Sequence, residues 1–481
     1  MENNTTQDET TGQRPVVAVL DIGKTFLKVS LATRDGRVFA ARQAENRIVR
    51  DGDWRRHDLA AAEDFILSSL KEFGAEHRIE DVVACGHGSA GVLVGPQDLD
   101  RPEPRLPMLD YEQPVPEPVA ASYLEATGDF FDRGSTVMHA ATHQARQMLW
   151  VETAAPEAFA EAEYHLGVPQ FWAWRLSGIA AGEISHLAAQ SDLWNTREGR
   201  PSRIVRERGW TRLLPPIRPA FEALGPLRPA LAERTGLLQS VRVRVGLHDS
   251  SANFYRYQAA GHRRMTVVST GTWIVALSDH ADLSALDPAR GMTLNADVMG
   301  RPLGGALTMA GREFAAIAGD AVGQANASAA ALERLVDRQT FALPSFGKGD
   351  GLFPGSAGRG RIEGREPETA EERMTLAVLT AALLASECLV LLQNQGSILL
   401  DGAFLKDPLF ARIVAALNPE VETRYNPAAD GVAAGAALLP SEGEPDRVVA
   451  LDLRAPEPLL VEGLAAYCDR WRALAADLST G

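Results

Sequence analysis

Residues 21–25, Asp-Ile-Gly-Lys-Thr, are the first place in the chain where side-chain types and spacing suit chemistry on a phosphate group. They lie at a predicted hairpin tip, where a glycine lets backbone N–H groups approach a phosphate while Lys24 and Thr25 supply a charge and a hydroxyl. Asp21 is placed to hold Mg²⁺, directly or through water, and Lys28 follows on the next strand. A solvent-exposed hairpin with ordinary polar residues explains the same pattern equally well.

Residues 23–25 also imitate the end of a Walker A phosphate loop, and that interpretation fails. Ala18 occupies the position of the required earlier glycine, and a strand rather than a helix follows the turn. The hairpin is therefore the interpretation that we keep.

Residues 269–273, Ser-Thr-Gly-Thr-Trp, repeat this device in the second half of the chain. Alone the motif is weak, but two opposed hairpins can hold the phosphates of one nucleotide across a cleft. Between the hairpins, Asp249 follows an apolar strand that ends near Val245. An aspartate there is well placed to take a proton from a hydroxyl that attacks a γ-phosphate. Asp249 is equally suited to cap a helix that starts near Ser250, and the two roles are compatible.

Two turns further along, at residues 401–404 and 430–437, place small residues at the start of a helix. Small residues there let an adenine or a ribose lie against the backbone. Close packing of a helix on a sheet needs the same glycines and alanines. By themselves, the residues favour that packing explanation.

Residues 86–91 satisfy the G-x-G-x-x-G pattern of a dinucleotide site, and Asp110 stands at about the distance of a ribose-binding acid. This pattern would indicate a NAD-dependent oxidoreductase, the main alternative from another reaction class. A short apolar strand broken by Pro96 follows the glycines where such a site needs a helix. We therefore reject the alternative, and His87 becomes either a pocket-lining or an interior histidine.

The elements that must position these residues follow from hydrophobic patterning. Apolar alternation predicts three antiparallel strands, a helix capped by Asp58 and a further strand, which is the order of the ribonuclease-H-like core of actin, Hsp70 and the sugar kinases. A second strand–turn–strand unit halfway along the chain suggests two homologous domains that face each other. These elements lie at residues 16–20, 26–32, 38–44, 58–73, 81–85, 265–269 and 273–277, with a long buried helix at 376–392 and a glycine-rich loop bordering the cleft at 343–362.

Composition limits the function classes. A chain of 481 residues, 45% of them hydrophobic, suggests two large domains. The net charge of −15 argues against a nucleic-acid partner, which would need a basic surface. Three widely spaced cysteines exclude a disulfide framework and a cysteine-rich zinc site. Without an 18-residue apolar run or a signal sequence, we expect a cytoplasmic protein that does not bind a membrane.

In this order, the motifs resemble the FGGY family of carbohydrate kinases, from about Val16 to Leu439. The match includes a tryptophan-rich helix at residues 171–178 and, after it, a substrate-side strand that carries Glu183. The resemblance implies an α/β fold of two ribonuclease-H-like (actin/hexokinase-like ATPase) domains with an interdomain cleft. The expected divisions are a disordered N-terminus at 1–13, a sugar-binding domain at 14–246, a nucleotide-binding domain at 247–440 and an extension at 441–481 that packs on either domain.

The resemblance further implies ATP-dependent phosphorylation of a sugar hydroxyl, with ATP, Mg²⁺ and a small-molecule sugar as ligands, and it is compatible with a homodimer. Asp249 is expected to be the catalytic base, with Asp21 and Asp249 at the metal. The sugar-binding residues are expected to be His87, Gly88, Asp110, Glu112, Glu183 and His248. The nucleotide-binding residues are expected to be Asp21, Gly23, Lys24, Thr25, Lys28, Thr270, Gly271, Thr272, Gly311, Gly402 and Ala403.

Some residues indicate which sugar the protein uses, and others differ from the family pattern. The His248-Asp249 pair is closest to the rhamnulose and fuculose kinases, and residues 109–112 differ from the glycerol kinase pattern. Both features favour a ketose or deoxy-ketose, such as a rhamnulose-, fuculose- or xylulose-like sugar, and a polyol kinase is the nearest alternative. Three departures from the family bear on nucleotide preference, namely Ala403, Asp407 and Ala315.

Non-enzyme relatives of the same core include actin-like and Hsp70-like ATPases and sugar-responsive repressors. A repressor would need a helix-turn-helix, for which residues 1–13 are too short, and a chaperone would need more chain than follows Leu439. The Asp249 block and the tryptophan-rich segment therefore favour a kinase over these proteins.

Overall fold

Two large mixed sheets, joined by helices, organise the chain. The computed structural model describes residues 14–428 and 430–478, so the segment predicted to be disordered, residues 1–13, lies outside the described residues. In the described part, the strands are β1 (Val16–Ile22), β2 (Phe26–Ala32), β3 (Val38–Glu45), β4 (Ile48–Asp51), β5 (Trp54–His57), β6 (Ile79–Gly86), β7 (Gly91–Val94), β8 (Tyr164–Gly167), β9 (Trp194–Asn195), β10 (Arg200–Pro201), β11 (Ala223–Pro226), β12 (Arg242–Arg244), β13 (Leu247–His248), β14 (Met265–Thr270), β15 (Ile274–Ser278), β16 (Met292–Ala296), β17 (Pro302–Thr308), β18 (Phe341–Leu343), β19 (Arg361–Glu363), β20 (Ser397–Gly402) and β21 (Thr423–Tyr425).

Helices cover the sheets and connect them. They are α1 (Leu59–Glu76), α2 (Glu117–Ala126), α3 (Phe130–Arg133), α4 (Gln144–Ala154), α5 (Pro156–Ala160), α6 (Val168–Ser177), α7 (Ile184–Leu187), α8 (Arg203–Glu207), α9 (Pro229–Thr235), α10 (Asp249–Ala259), α11 (Ala310–Ala318), α12 (Ala329–Asp337), α13 (Ala370–Leu391), α14 (Pro408–Leu417), α15 (Gly431–Ala437) and α16 (Leu464–Asp477).

The first sheet has the strand order β11-β12-β6-β1-β2-β3, and β13 also pairs with β6. Strands β1, β2 and β3 form an antiparallel meander, whereas β6 lies parallel to β1, β12 and β13. Helix α1 packs on this sheet and begins at the predicted cap, where the Asp58 carboxylate accepts a hydrogen bond from the Ala61 N–H. The strand–helix–strand order predicted for the first half is confirmed.

The second sheet, with the order β16-β17-β15-β14-β20-β21, repeats this plan. Strands β14, β15 and β17 are antiparallel neighbours, and β20 lies parallel to both β14 and β21. The duplication predicted from the two hairpins is therefore confirmed at the level of sheet topology.

Helix α13 fills the core beside the second sheet, as its apolar sequence predicted. By length and composition alone it is long and apolar enough to cross a membrane, but 89% of its most apolar window is buried inside the protein. Such burial is that of a core helix.

Helix α16 packs into the second sheet's core, whereas Leu438 and Leu439, just after α15, pack with strands of the first sheet. Trp471 on α16 donates its indole N–H to the carbonyl oxygen of Ala342 at 2.9 Å, and Tyr467 donates its hydroxyl to the carbonyl of Thr340. Both aromatic side chains are fully buried in that core. Sequence patterns alone left open which half of the molecule this helix joins.

Candidate active site

The carboxyl ends of three parallel strands meet at one edge of the first sheet and carry the predicted catalytic residues. Asp21 at the end of β1 pairs with Cys85 on β6, and His248 at the end of β13 pairs with Gly86. Neighbouring strands lie about 4.8 Å apart, so this register brings Asp21 and Asp249 to the same edge, two strands apart.

Asp249 is the first residue of α10, and the residue in the N-cap position is His248. The hypothesis that Asp249 itself caps the helix is therefore wrong by one position, because His248 has the extended backbone that a cap requires. The Asp249 Oδ1 atom accepts hydrogen bonds from the N–H and the hydroxyl of Ser250, at 2.5 and 3.1 Å, and lies 3.1 Å from Nε2 of His248. About a quarter of the Asp249 side chain remains exposed, which leaves it accessible to a substrate hydroxyl.

Asp21 and Asp249 are close enough to affect each other's charge. Burial, then the negative charge of Asp249, raises the pKa of Asp21 to about 7, and the nearby ammonium group of Lys28 offsets only part of this. In the described part of the chain, no group of three or more histidine, cysteine, aspartate or glutamate side chains gathers as a metal cluster. Mg²⁺ is commonly held by one or two carboxylates together with substrate phosphates, so this pair of carboxylates fits such an ion.

Lys24, at the tip of the first hairpin (residues 21–28), points toward residues predicted to bind sugar. Its ammonium group pairs with the fully buried carboxylate of Asp110, lies 5.2 Å from the centre of the Tyr111 ring and is 4.0 Å from Glu112. Arg55 contacts the other oxygen of Asp110 at 2.6 Å. The expectation that Lys24 faces phosphates does not fit this geometry, because its charge is already neutralised on the opposite side.

His87 lies beside this cluster, as a pocket-lining residue should. Its ring centre is 5.6 Å from that of Tyr111 and 5.9 Å from that of His57. Burial, followed by the neighbouring His57, lowers the pKa of His87 to about 3 although the charge of Asp249 opposes the shift, so its imidazole is neutral near pH 7.

Glu183 lies at the start of a helix and not on the strand that the sequence predicted. It is the N-cap residue of the short helix α7, and its carboxylate accepts hydrogen bonds from the N–H groups of Ser185 and His186, both at 2.9 Å, and from the Ser185 hydroxyl at 2.7 Å. Only 2% of Glu183 is exposed. These internal donors leave little capacity for the sugar contact expected of Glu183, which positions its own loop.

The glycines at residues 86–91 serve close packing. A Cβ atom at Gly88 would lie 2.4 Å from the carbonyl oxygen of Ala189, and one at Gly91 would meet the ring of His165 at 2.5 Å. Strand β7 starts at Gly91, which confirms that no dinucleotide-type helix follows. The sugar contact expected of Gly88 stays a prediction, and its lack of a side chain is explained by Ala189.

The tip of the second hairpin (residues 269–273) is open. A Cβ at Gly271 would meet nothing within 4 Å, Thr272 is exposed, and the Gly271 N–H donates to the carbonyl of Trp273 at 2.8 Å. Gly311 packs against this tip, since a Cβ there would lie 2.7 Å from the Gly271 oxygen. An uncovered backbone turn of this kind suits a phosphate group.

The turn after β20 crosses close behind the second hairpin. The Thr270 hydroxyl donates to the carbonyl of Asp401 at 2.8 Å and accepts from the N–H of Phe404 at 3.1 Å, so it is used internally. Gly402 has φ +100°, and a Cβ there would lie 2.1 Å from the Thr270 oxygen. Ala403 is exposed and does not need a positive φ, which explains why alanine is tolerated there.

Helix α15 lies on α10 because its glycines allow close contact. A Cβ at Gly435 would lie 1.8 Å from the carbonyl oxygen of Ala252. This contact favours the packing explanation for residues 430–437. Just before the helix, Asp430 accepts a hydrogen bond from Lys28 of the first hairpin at 2.6 Å, so the two halves of the molecule meet there.

Some site residues were not found by sequence reasoning. Arg55 and His57 on β5 contact or approach the Lys24 cluster, and the basic run at residues 55–57 was the available signal. Asn253 lies one turn after Asp249 on α10 and donates to the Ser269 hydroxyl at 2.7 Å, which connects this helix to the second hairpin. Arg312 reaches across the cleft to Glu112 at 3.4 Å.

Comparison with known proteins gives consistent matches over most of the chain. The N-terminal domain of the FGGY family of carbohydrate kinases matches residues 16–254, and the C-terminal domain of carbohydrate kinase FGGY matches residues 262–447. The xylulose kinase of Bacillus subtilis is 29% identical over 106 residues, a segment that spans 22% of this chain and only 21% of that protein.

Solved structures give longer alignments. A carbohydrate kinase from Novosphingobium aromaticivorans superposes with a TM-score of 0.81 at 32% identity, and the alignment covers 95% of this chain and 100% of that one. A xylulose kinase from Rhodospirillum rubrum superposes with a TM-score of 0.76 at 20% identity, covering 97% and 99% of the two chains. The latter likeness concerns the fold alone.

Proposed function

The chain belongs to the FGGY family of carbohydrate kinases, and on that premise we propose that it transfers the γ-phosphoryl group of ATP to a hydroxyl of a ketose. The observation that carries this proposal is the position of Asp249. It lies beside the carboxyl ends of the parallel strands, where Asp21 also lies, and its own carboxylate is partly exposed. A carboxylate in that position can accept a proton from an attacking hydroxyl.

The chain's own residues supply positioning more than covalent chemistry. Asp249, its Oδ1 held by Ser250 and approached by His248, takes the proton as the hydroxyl attacks. The backbone tips of the first and second hairpins lie on the phosphate side, and closure of the cleft excludes water. Mg²⁺, held by Asp21 and Asp249 together with the phosphates, would neutralise charge that develops during transfer.

Two features support a ketose as the acceptor. The polar cluster of Lys24, Asp110 and Arg55 lies beside His87, on the side of the cleft predicted to bind sugar. A xylulose kinase is among the relatives in sequence. A rhamnulose- or fuculose-like deoxy-ketose belongs to the same chemical class, and a polyol is the second candidate.

A coupled assay of ADP formation over a panel of ketoses, deoxy-ketoses and polyols tests the proposal. We expect turnover of at least one ketose well above that of glycerol, and ADP formation that depends on added sugar. Strong turnover of glycerol with none for any ketose would contradict the substrate class while leaving the kinase activity intact.

A further inference from the structure

We propose that a small, largely apolar cavity behind the first hairpin binds a single hydroxyl group, either that of a water molecule or one carried by the acceptor sugar. The second source rests on the proposed function, whereas the first does not. The cavity measures about 10 Å³, close to the space that one water molecule needs. Its walls are apolar except for four polar side chains, those of Asn46, His57, His87 and Trp172.

Several nitrogen atoms of these side chains are buried without a hydrogen-bond partner. Among the described residues, none accepts from or donates to Nε2 of His57, either ring nitrogen of His87 or Nε1 of Trp172. His57 and Trp172 are each only 2% exposed, so bulk water does not satisfy them. Buried polar groups in folded proteins nearly always have a partner, and several unsatisfied groups lining one cavity therefore indicate a missing ligand.

The hydrogen-bond pattern around the cavity fixes the kind of ligand. Asn46 donates its amide N–H to the carbonyl of Gly23 at 2.8 Å, which leaves its oxygen as the acceptor 3.4 Å from Nδ1 of His57. The proton of His57 is then on Nδ1, and its Nε2 is a bare acceptor. Trp172 offers only an N–H donor.

A hydroxyl group matches this pair, because it can accept from Trp172 while it donates to His57. A methyl group would satisfy neither atom. Burial, with a smaller contribution from the charge of Lys24, lowers the pKa of both His57 and His87 to about 3, so both imidazoles are neutral and neither offers a positive charge to an anion.

The cavity is connected to the sugar side of the cleft through His87. The His87 ring both lines the cavity and packs edge-on against Tyr111, and its backbone N–H donates to the carbonyl of Ile22 at the end of β1. A hydroxyl bound in the cavity would therefore fix the orientation of His87. If the hydroxyl belongs to the sugar, the cavity distinguishes a hydroxylated sugar from its deoxy analogue.

The variant Trp172→Phe tests the site because it removes the N–H and keeps an aromatic ring. Trp174→Phe is the matched control, since Trp174 lies on the same helix, is also buried and does not line the cavity.

A high-resolution crystal structure of the sugar-free protein should show an ordered water within about 3.2 Å of His57 Nε2 and Trp172 Nε1. A sugar complex with a hydroxyl in that place would also support the proposal, and a cavity empty in both structures would overturn it.

Kinetics distinguish the two sources of the hydroxyl. If it belongs to the sugar, Trp172→Phe should lower kcat/KM about tenfold for the hydroxylated ketose and leave the deoxy analogue unchanged. If it is a water, both sugars should lose activity alike, and in either case Trp174→Phe should resemble the wild type. Equal behaviour of the two variants with every sugar would count against the site. If no sugar is phosphorylated, the proposed function fails, while the crystal structures still decide whether the cavity holds a hydroxyl group.

Discussion

Asp21, at the carboxyl end of β1 beside Asp249, lowers the stability of the folded protein when its side chain is ionised for function. Burial and the charge of Asp249 raise its pKa from 3.8 to about 7. An acid whose pKa is higher in the folded than in the unfolded state contributes stability that is fully present below pH 4 and is lost as the pH rises through 7. At pH 8 the folded protein therefore bears the cost of an ionised, partly buried carboxylate, on the order of a few kcal/mol.

Asp21→Asn should remove that cost. In buffer with a chelator, we expect the variant to melt several degrees above the wild type at pH 8 and close to it at pH 4, while kinase activity falls because a charge that would hold Mg²⁺ is missing. Thermal melts across this pH range provide the measurement. A Tm difference that does not change with pH would contradict the raised pKa.

Asp249→Asn separates proton transfer from local structure. The amide retains an oxygen that can accept from Ser250, and the cap position belongs to His248, so stability should change little. An amide cannot take the hydroxyl proton, and phosphoryl transfer should fall by about 10²-fold or more. A melt, a sugar titration and a kinase assay on one preparation check these expectations together. A variant that binds sugar and phosphorylates it at nearly the wild-type rate would remove Asp249 from catalysis.

Lys24→Ala tests whether this lysine contributes to sugar binding or to ATP binding. Its ion pair with the buried Asp110 leads us to expect a larger rise in KM for the sugar than in KM for ATP, because Asp110 would lose one of its two cationic partners. Steady-state kinetics with each substrate varied in turn give both constants. A larger effect on ATP would return Lys24 to the phosphate role that the hairpin motif predicted. Lys24→Arg, which keeps the charge, serves as the control.

At the scale of elements, two glycines of the predicted nucleotide side should respond differently to a methyl group. Gly402→Ala forces a Cβ to within 2.1 Å of the Thr270 oxygen at a positive φ, so we expect a loss of several kcal/mol in stability. Gly271→Ala meets nothing within 4 Å and should leave Tm unchanged, yet lower kcat/KM for ATP if the hairpin backbone approaches phosphate. Chemical denaturation and ATP kinetics on both variants check this contrast. Equal stability of the two variants would contradict it.

The elements that sequence patterns predicted well have local causes. Strand β2 matches its predicted bounds, and β1 runs two residues further only because Asp21 and Ile22 continue the ladder with β2. The strand predicted at Glu183 was wrong, because glutamate is an uncommon cap and a four-residue helix has too few turns to show a period. Lys24 and Asp110 are 86 residues apart in the sequence, and a local sequence pattern cannot predict a contact between residues so far apart.

At the scale of the whole molecule, the two halves touch on both sides of the candidate site. Lys28 of the first hairpin contacts Asp430 at 2.6 Å, and Glu112 contacts Arg312 of α11 at 3.4 Å. Helix α15 also lies against the first sheet's apolar face together with α10, so the halves share buried surface behind the cleft. These two charged pairs lie at the mouth of the cleft, which is its opening to solvent, and the buried helices lie behind them. We therefore expect that opening the cleft breaks the charged pairs and leaves the buried contacts intact.

Arg312→Gln tests whether the pair at the mouth holds the cleft closed. An exposed ion pair contributes about 0–1 kcal/mol, so Tm should stay nearly constant. That energy is nevertheless enough to shift an equilibrium between open and closed forms several-fold. We therefore expect a larger radius of gyration by small-angle X-ray scattering for the ligand-free variant, and high salt should expand the wild type more than the variant because the pair is screened.

The control for this experiment is Arg454→Gln, which removes another exposed ion pair, to Asp452 at 2.9 Å, that does not cross the cleft. It should leave the radius of gyration and its salt dependence as in the wild type. If Arg312→Gln behaves like this control, the mouth contact has no part in closure. If the double variant matches Arg312→Gln, the contact between Arg312 and Glu112 accounts for the whole effect, and the approach of Glu112 to Lys24 at 4.0 Å adds nothing to it.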